Sequence, residues 1–229
     1  MYSWIIIVTI RKDALVTGET YHVFTRSIAG FEVFRLPGGY ERLIETFAYY
    51  NHNKPPLRFS WFLQLSPDTK KEVAERQEAD RLVQILSYCL MPTHIHLVLK
   101  QINENGISTF VSNTLNSFTR YFNTAHKRKG PLWESEFKNV LVDTDEQLLQ
   151  LTRYVHLNPV SAGLVSSPED WDYSSYRQYI GIRSEWEICD WHDVLNIQPA
   201  EYKRFVEDHI SYQRSLSEIK RLLIENYHG

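Results

Sequence analysis

Cysteine is nearly absent from this chain: Cys89 and Cys189 are the only two in 229 residues. Two thiols cannot build a disulfide framework or a thiolate zinc cage, and their scarcity fits a reducing cytoplasm. Long apolar runs are missing as well. The opening "MYSWIIIVTI" is too short to span a bilayer, and its charges, Arg11 and Lys12, follow the run instead of preceding it. It reads as an extra strand or an N-terminal extension over 1–19, not as a signal peptide, and no membrane partner is expected. Charge of one sign is scarce too. A formal net charge of -3 does not by itself announce a nucleic-acid partner. Repeats and low-complexity tracts are lacking.

What is present points to one main domain. With 43% hydrophobic and 23% charged residues, the chain can bury one sizeable core. The charges are unevenly spread. Residues 184–229 hold nine acids against five bases and read as an acidic, helical C-terminal extension, which leaves the preceding part slightly positive. Within that part, "RYFNTAHKRKGPLWESEFK" carries Arg120, Lys127, Arg128, Lys129 and Lys138 with aromatics between them. Such a patch suits phosphate contact, although a basic run at a helix end also suits the helix dipole alone. Trp133 reads first as a core or loop anchor, with stacking on a DNA base open to it.

Periodicity supplies a coarse element order. "TYHVFTRSI" alternates like a strand, and "YERLIETFAYYNH" after Gly38 and Gly39 reads as a helix. "PPLRFSWFLQL" looks extended, and the charged stretch over 67–81 reads as an exposed helical insertion. "VQILSYCLMPTHIHLVLK" is two apolar runs broken by Pro92, which predicts a tight antiparallel pair. "ISTFVSNTLNSFTRYFNTAHKRKG" spaces Phe110, Leu115, Phe118 and Phe122 as a helix does. "FKNVLV" is a strand. "DTDEQLLQLTRYVHLNP" is a helix capped by Asp143 or Thr144 and ended before Pro159. This order predicts an α+β sandwich, a central antiparallel sheet with helices on one face.

The chemistry is concentrated in two short stretches. In "CLMPTHIHLVLK", strand alternation puts His94 and His96 on one face, where two imidazoles can share a metal ion. Taken alone, such a pair is as readily two hydrogen-bonded histidines. In "RYVHLNPV", Tyr154 and Asn158 stand four apart and share a helix face. If that helix crosses the histidine strand, a cation would meet two ring nitrogens and an amide oxygen, with positions left for water and a phosphate oxygen. Neutral ligands leave the cation's charge available to an anionic substrate. A phenol ordinarily titrates near about 10, so its attack on phosphorus needs a nearby positive charge. His156 points elsewhere on the helix and reads as packing or as support for a ligand. Asn158 can also cap the helix end. Tyr121 is a competing tyrosine, better suited to stacking or packing.

"YCLMPTHIHLVLK", "GPLWESEFKNVLVD", "RYVHLNPVSAGLV" and "WDYSSYRQYIG" together resemble, in order, the signature blocks of the REP-associated tyrosine transposases and their insertion-sequence relatives. These belong to the HUH superfamily, named for its His-hydrophobe-His motif. The resemblance covers about Thr20 to Gly181, and implies a transposase domain over 20–183. It implies a ferredoxin-like, RRM-like fold and a dependence on magnesium or manganese. It also implies cleavage of single-stranded or hairpin DNA through a covalent 5′-phosphotyrosine, by a monomer or homodimer in a bacterial or archaeal cytoplasm. By that resemblance Tyr154 is the nucleophile and His94, His96 and Asn158 are metal ligands. Arg120, Lys127, Arg128, Lys129, Trp133, Lys138 and Arg153 are the candidate DNA contacts. A domesticated relative that binds structured nucleic acid without cutting it is the alternative.

Overall fold

The computed structural model describes residues 14–34, 37–52, 55–77, 80–134, 136–182 and 186–212. The apolar opening and the last seventeen residues lie outside these, and so does the extra strand expected at the N-terminus. Four strands form one antiparallel sheet: β1 (Thr20–Arg26), β2 (Val83–Met91), β3 (His94–Gln101) and β4 (Lys138–Val142), in the order β2-β3-β1-β4. Pro92 and Thr93 make the tight connection between β2 and β3. Helices α1 (Gly39–Tyr50) and α4 (Gly106–Ala125) cross between strands, which gives the ferredoxin-like plan.

Both crossover helices pack on the sheet face that carries Tyr88, Ile95, Leu97 and Leu99. The Phe47 ring of α1 lies 6.4 Å from Tyr88 and 5.7 Å from Phe110 of α4, and Phe110 is fully buried. Truncating a buried phenylalanine to alanine costs ~3–5 kcal/mol, so these rings are main supports of the layer. The start of α4 approaches the backbone before β2 so closely that a Cβ on Gly106 would stand 2.2 Å from the Leu82 carbonyl oxygen. Only glycine fits there.

A further helix, α5 (Asp145–Ser161), packs against β2 and β3 from the opposite face. Thr144 caps it, its hydroxyl accepting from the Gln147 backbone N–H at 3.1 Å. With cover on both faces, β2 is buried at every residue. Its free edge is covered as well: Leu90 N–H donates to Tyr173 O, Ser175 N–H to Tyr88 O and Asp190 N–H to Ile85 O. That cover satisfies the main-chain groups an exposed edge would offer to another chain. The "WDYSSY" stretch, with α6 (Tyr176–Tyr179) behind it, therefore acts as an edge guard.

Two local expectations change, at 59–62 and at Pro159, while the charged stretch is helical as expected. Residues 59–62 form a short helix, α2 (Phe59–Phe62), where an extended run was expected, because Phe59 and Phe62 turn back onto Tyr49 in an aromatic cluster. The charged stretch is helical, as α3 (Pro67–Gln77). Helix α5 does not stop at Pro159 but runs through it to Ser161. The described part of the acidic segment, 186–212, contributes to the core. Trp191 stacks on Tyr179 at 3.9 Å, and Tyr202 and Val206 of α7 (Pro199–Glu207) are fully buried. No described helix is long and apolar enough to cross a membrane.

Candidate active site

Cross-strand pairing builds the floor of the site. Phe24 of β1 pairs with His96 of β3 on one side and with Lys138 of β4 on the other, so these three share a face; Arg26 pairs with His94 in the next row. The same face of β1 carries His22, whose Nε2 lies 2.9 Å from His96 Nδ1. The rings of His94 and His96 are 5.0 Å apart. Thr93 Oγ1 lies 3.1 Å from His94 Nδ1, a contact that does not use His94 Nε2.

Burial keeps these rings neutral. It lowers His22 to about 4, and with the Arg26 charge it lowers His94 to about 4. His96 falls further, to about 2, through burial first and then its His22, His94 and Arg26 neighbours. Neutral imidazole is the form that binds metal.

Helix α5 brings the tyrosine to this floor. The Tyr154 ring is 5.6 Å from His96 and 6.0 Å from His22, edge-on to both, and its side chain is 44% exposed. A buried ring would not meet a DNA strand; this one can. One turn on, Asn158 Nδ2 donates to Tyr154 O at 2.9 Å and to Val155 O at 3.4 Å. Pro159 has no N–H for the Val155 carbonyl, and the Asn158 amide supplies part of the replacement. These bonds use the Asn158 nitrogen and not its side-chain oxygen.

His156 faces away from this floor and anchors the helix. Its Nδ1 lies 2.6 Å from Tyr202 Oη, and its Nε2 lies 2.7 Å from Ser175 Oγ and 3.3 Å from Ser87 Oγ. One fully buried ring thereby ties α5 to β2, to the edge guard and to α7.

A cation fits the donor set. His96 Nε2 is buried without a hydrogen-bond partner, while its Nδ1 is occupied by His22. A buried ring nitrogen without a partner is costly unless something binds it. Among the described residues no three His, Cys, Asp or Glu side chains form a cage, and the Asn158 amide is a neutral oxygen donor one turn from Tyr154.

The expected DNA contacts divide. Lys138 is exposed on the site face, and Lys127 and Lys129 are exposed at the end of α4. Arg120 is exposed on α4, on the other side of the sheet. Three of the candidate contacts are engaged with the protein itself. Trp133 is only 7% exposed and packs near Phe118, at 6.0 Å, so its ring is core. Arg128 folds back to donate to Pro131 O at 2.8 Å, with its guanidinium 5.7 Å from the Phe122 ring. Arg153 turns to α7, where its guanidinium lies 4.2 Å over Phe205 and 2.9 Å from His209 Nδ1. Trp133 thus takes the core-anchor role, while Arg128 and Arg153 stay partly exposed but are tied to protein groups the sequence did not reveal. His22 was missed in turn. Its signal was the polar residue alternating within "TYHVFTR", legible only once β1 is known to lie beside β3.

The ferredoxin-like sheet thus presents a histidine pair to a tyrosine on a following helix. Residues 58–158 match the family described as IS200-like transposase, a stretch that ends on Asn158. That stretch takes in the histidine block, the GPLWESEFKNVLVD block and the start of the tyrosine block, in line with the resemblance drawn from them. A relative from Haemophilus influenzae, provisionally named a REP-associated tyrosine transposase, is 29% identical over 117 residues, 46% of this chain and 65% of its own length. The chain thus spans just under two thirds of that relative. The solved structure of a REP-associated tyrosine transposase bound to a REP hairpin superposes with a TM-score of 0.50 at 15% identity, over 82% of this chain and 98% of the other. That likeness concerns the fold. The proteins of this family are enzymes.

Proposed function

We propose that this chain is a metal-dependent single-stranded DNA endonuclease and strand transferase that acts beside DNA hairpins. The reading is carried by one observation: the exposed Tyr154 ring stands 5.6 Å from His96, whose Nε2 has no hydrogen-bond partner among the described residues. The hairpin-bound neighbour and the provisional name of the curated relative favour the same class of substrate.

In this reading Tyr154 Oη attacks the scissile phosphorus. An Oη–P bond forms, the bond from phosphorus to the 3′ oxygen breaks, the phenolic proton passes to solvent, and the departing oxygen gains a proton as a 3′-hydroxyl. A 5′-phosphotyrosine remains. Attack on it by another 3′-hydroxyl rejoins DNA and restores the phenol. Magnesium or manganese, held by His94, His96 and Asn158, would polarise the phosphate oxygens. The residues Lys138 and Arg26 add positive charge on the same face, where negative charge builds up. Asn158 also braces the last turn of α5, which keeps Tyr154 on one bearing.

The test is a denaturing gel of the full chain with a labelled hairpin oligonucleotide carrying a single-stranded flank, in manganese. A chelator-sensitive covalent band, lost in Tyr154→Phe, is expected. A phosphotyrosyl peptide at Tyr121 or elsewhere overturns the assignment. DNA binding with no band in any divalent metal supports the binding-only relative instead.

A further inference from the structure

A second charged concavity lies on the opposite side of the sheet from Tyr154. It is a groove of about 440 Å³ between α1, α2 and α4, lined by Arg42, Arg58, Arg120 and Tyr121. Arg42 is the fixed point of this groove. Its guanidinium lies 4.3 Å over the Phe59 ring and 5.2 Å over Tyr121, so two aromatic faces hold it in one orientation. Burial disfavours its charge, and Glu45, three residues along α1, offsets only part of that cost. Among the described residues none of the three arginines is ion-paired. Arg58 and Arg120 are exposed on either side. Three guanidinium groups that repel one another around a shared groove leave a net positive field, and their planar forks match phosphate oxygens.

We infer that this groove is a second DNA contact, gripping the phosphate backbone of the same substrate strand or hairpin remote from the cleavage site. The inference rests on the reading of the chain as a DNA-acting protein. A backbone suits the groove better than a free nucleotide because the arginines come from three separate elements along its length, with Tyr121 offering a face for stacking. Since α1 and α4 lie across the sheet from the histidine pair, DNA that fills both places must pass around an edge of the sheet. The groove therefore contributes affinity and register, with no part in bond breaking.

The experiment is binding of a fluorescein-labelled hairpin with a single-stranded flank, by anisotropy, to the full chain and to R58Q/R120Q, across salt. Both arginines are exposed, so the double variant keeps the core, and a melting curve confirms it. Loss of two phosphate contacts should lower the log-log salt slope by about 1.4 for single strand to about 1.8 for duplex. Between about 50 and about 200 mM salt, wild type should then lose roughly tenfold more affinity than the variant. Lys203→Gln, which removes a base ion-paired with Glu169 on the C-terminal side, should keep the wild-type slope. An unchanged slope and affinity in R58Q/R120Q overturns the inference. So does weak binding of inorganic phosphate that the variant abolishes while the DNA slope stays the same, which would make the groove a small-anion site. Absence of a covalent adduct in wild type would defeat the proposed reaction without touching this result, which is read on binding alone.

Discussion

Replacing His22 by phenylalanine tests how the site is prepared for a metal. Phenylalanine keeps the ring packing against Phe24, 4.9 Å away, but removes the Nε2 that meets His96 Nδ1 at 2.9 Å. For His96 to offer a bare Nε2 to a cation, its proton must sit on Nδ1 and be donated to His22. Without His22 that buried N–H has no acceptor, at a cost of ~1–3 kcal/mol. The ring then gains by moving its proton to Nε2 or by rotating, and either change spoils the ligand. Since about 1.4 kcal/mol is a tenfold change, manganese affinity should weaken roughly 10- to 100-fold, as removal of such outer supports usually does. Manganese titration followed by electron paramagnetic resonance reads this without DNA or cleavage. His22→Asn, which can still present an acceptor, should recover part of the loss, and adduct yield should follow metal occupancy in both variants. Equal manganese affinity in wild type and His22→Phe would refute the reasoning, as would nitrogen NMR showing the His96 proton on Nε2 in the metal-free protein.

Asn158→Ala should lower metal occupancy and leave the phenol present, so cleavage should recover partly at high manganese, whereas the Tyr154→Phe defect should not; adduct yield against manganese concentration separates them. Gly106→Ala should destabilise the fold by more than ~2 kcal/mol, because a Cβ 2.2 Å from the Leu82 oxygen displaces a carbonyl that accepts from Ile102 and Asn103. A chain of this size should then melt at least ~4 °C lower, and an unchanged melting point would show that α4 shifts freely. Arg128→Ala should lower stability through its lost bond to Pro131, while Lys127→Gln with Lys129→Gln should leave the melting point in place and flatten the salt dependence of DNA binding. Burial pushes the Cys89 and Cys189 thiols well above their usual range, so neither thiolate forms as pH rises from about 7 to about 9. Alkylation of the native protein should stay slow across that range and become fast only in denaturant.

The local order of this protein is written in its sequence. Alternation alone puts His94 and His96 on one face, and helical spacing alone puts Asn158 one turn from Tyr154, because each relation depends on backbone geometry within a few residues. The Thr144 cap and the turn at Pro92 follow from equally short-range chemistry. Other facts needed the assembled fold. That β1 lies between β3 and β4, and so delivers His22 and Lys138 to the histidine pair, depends on long-range pairing that no single strand encodes. The inward turn of Arg128, Arg153 and Trp133 was decided by neighbours distant in sequence or by the tight loop after α4. Pro159 would end an isolated helix, yet α5 continues because Asn158 lends its amide to the chain and the surrounding core buries the last turn. Residue types therefore set what the site can do. Only the packing of α5 across the sheet, anchored through His156, brings Tyr154 to the histidine-bearing face, since burial of that helix is shared among β2, α7 and the edge guard.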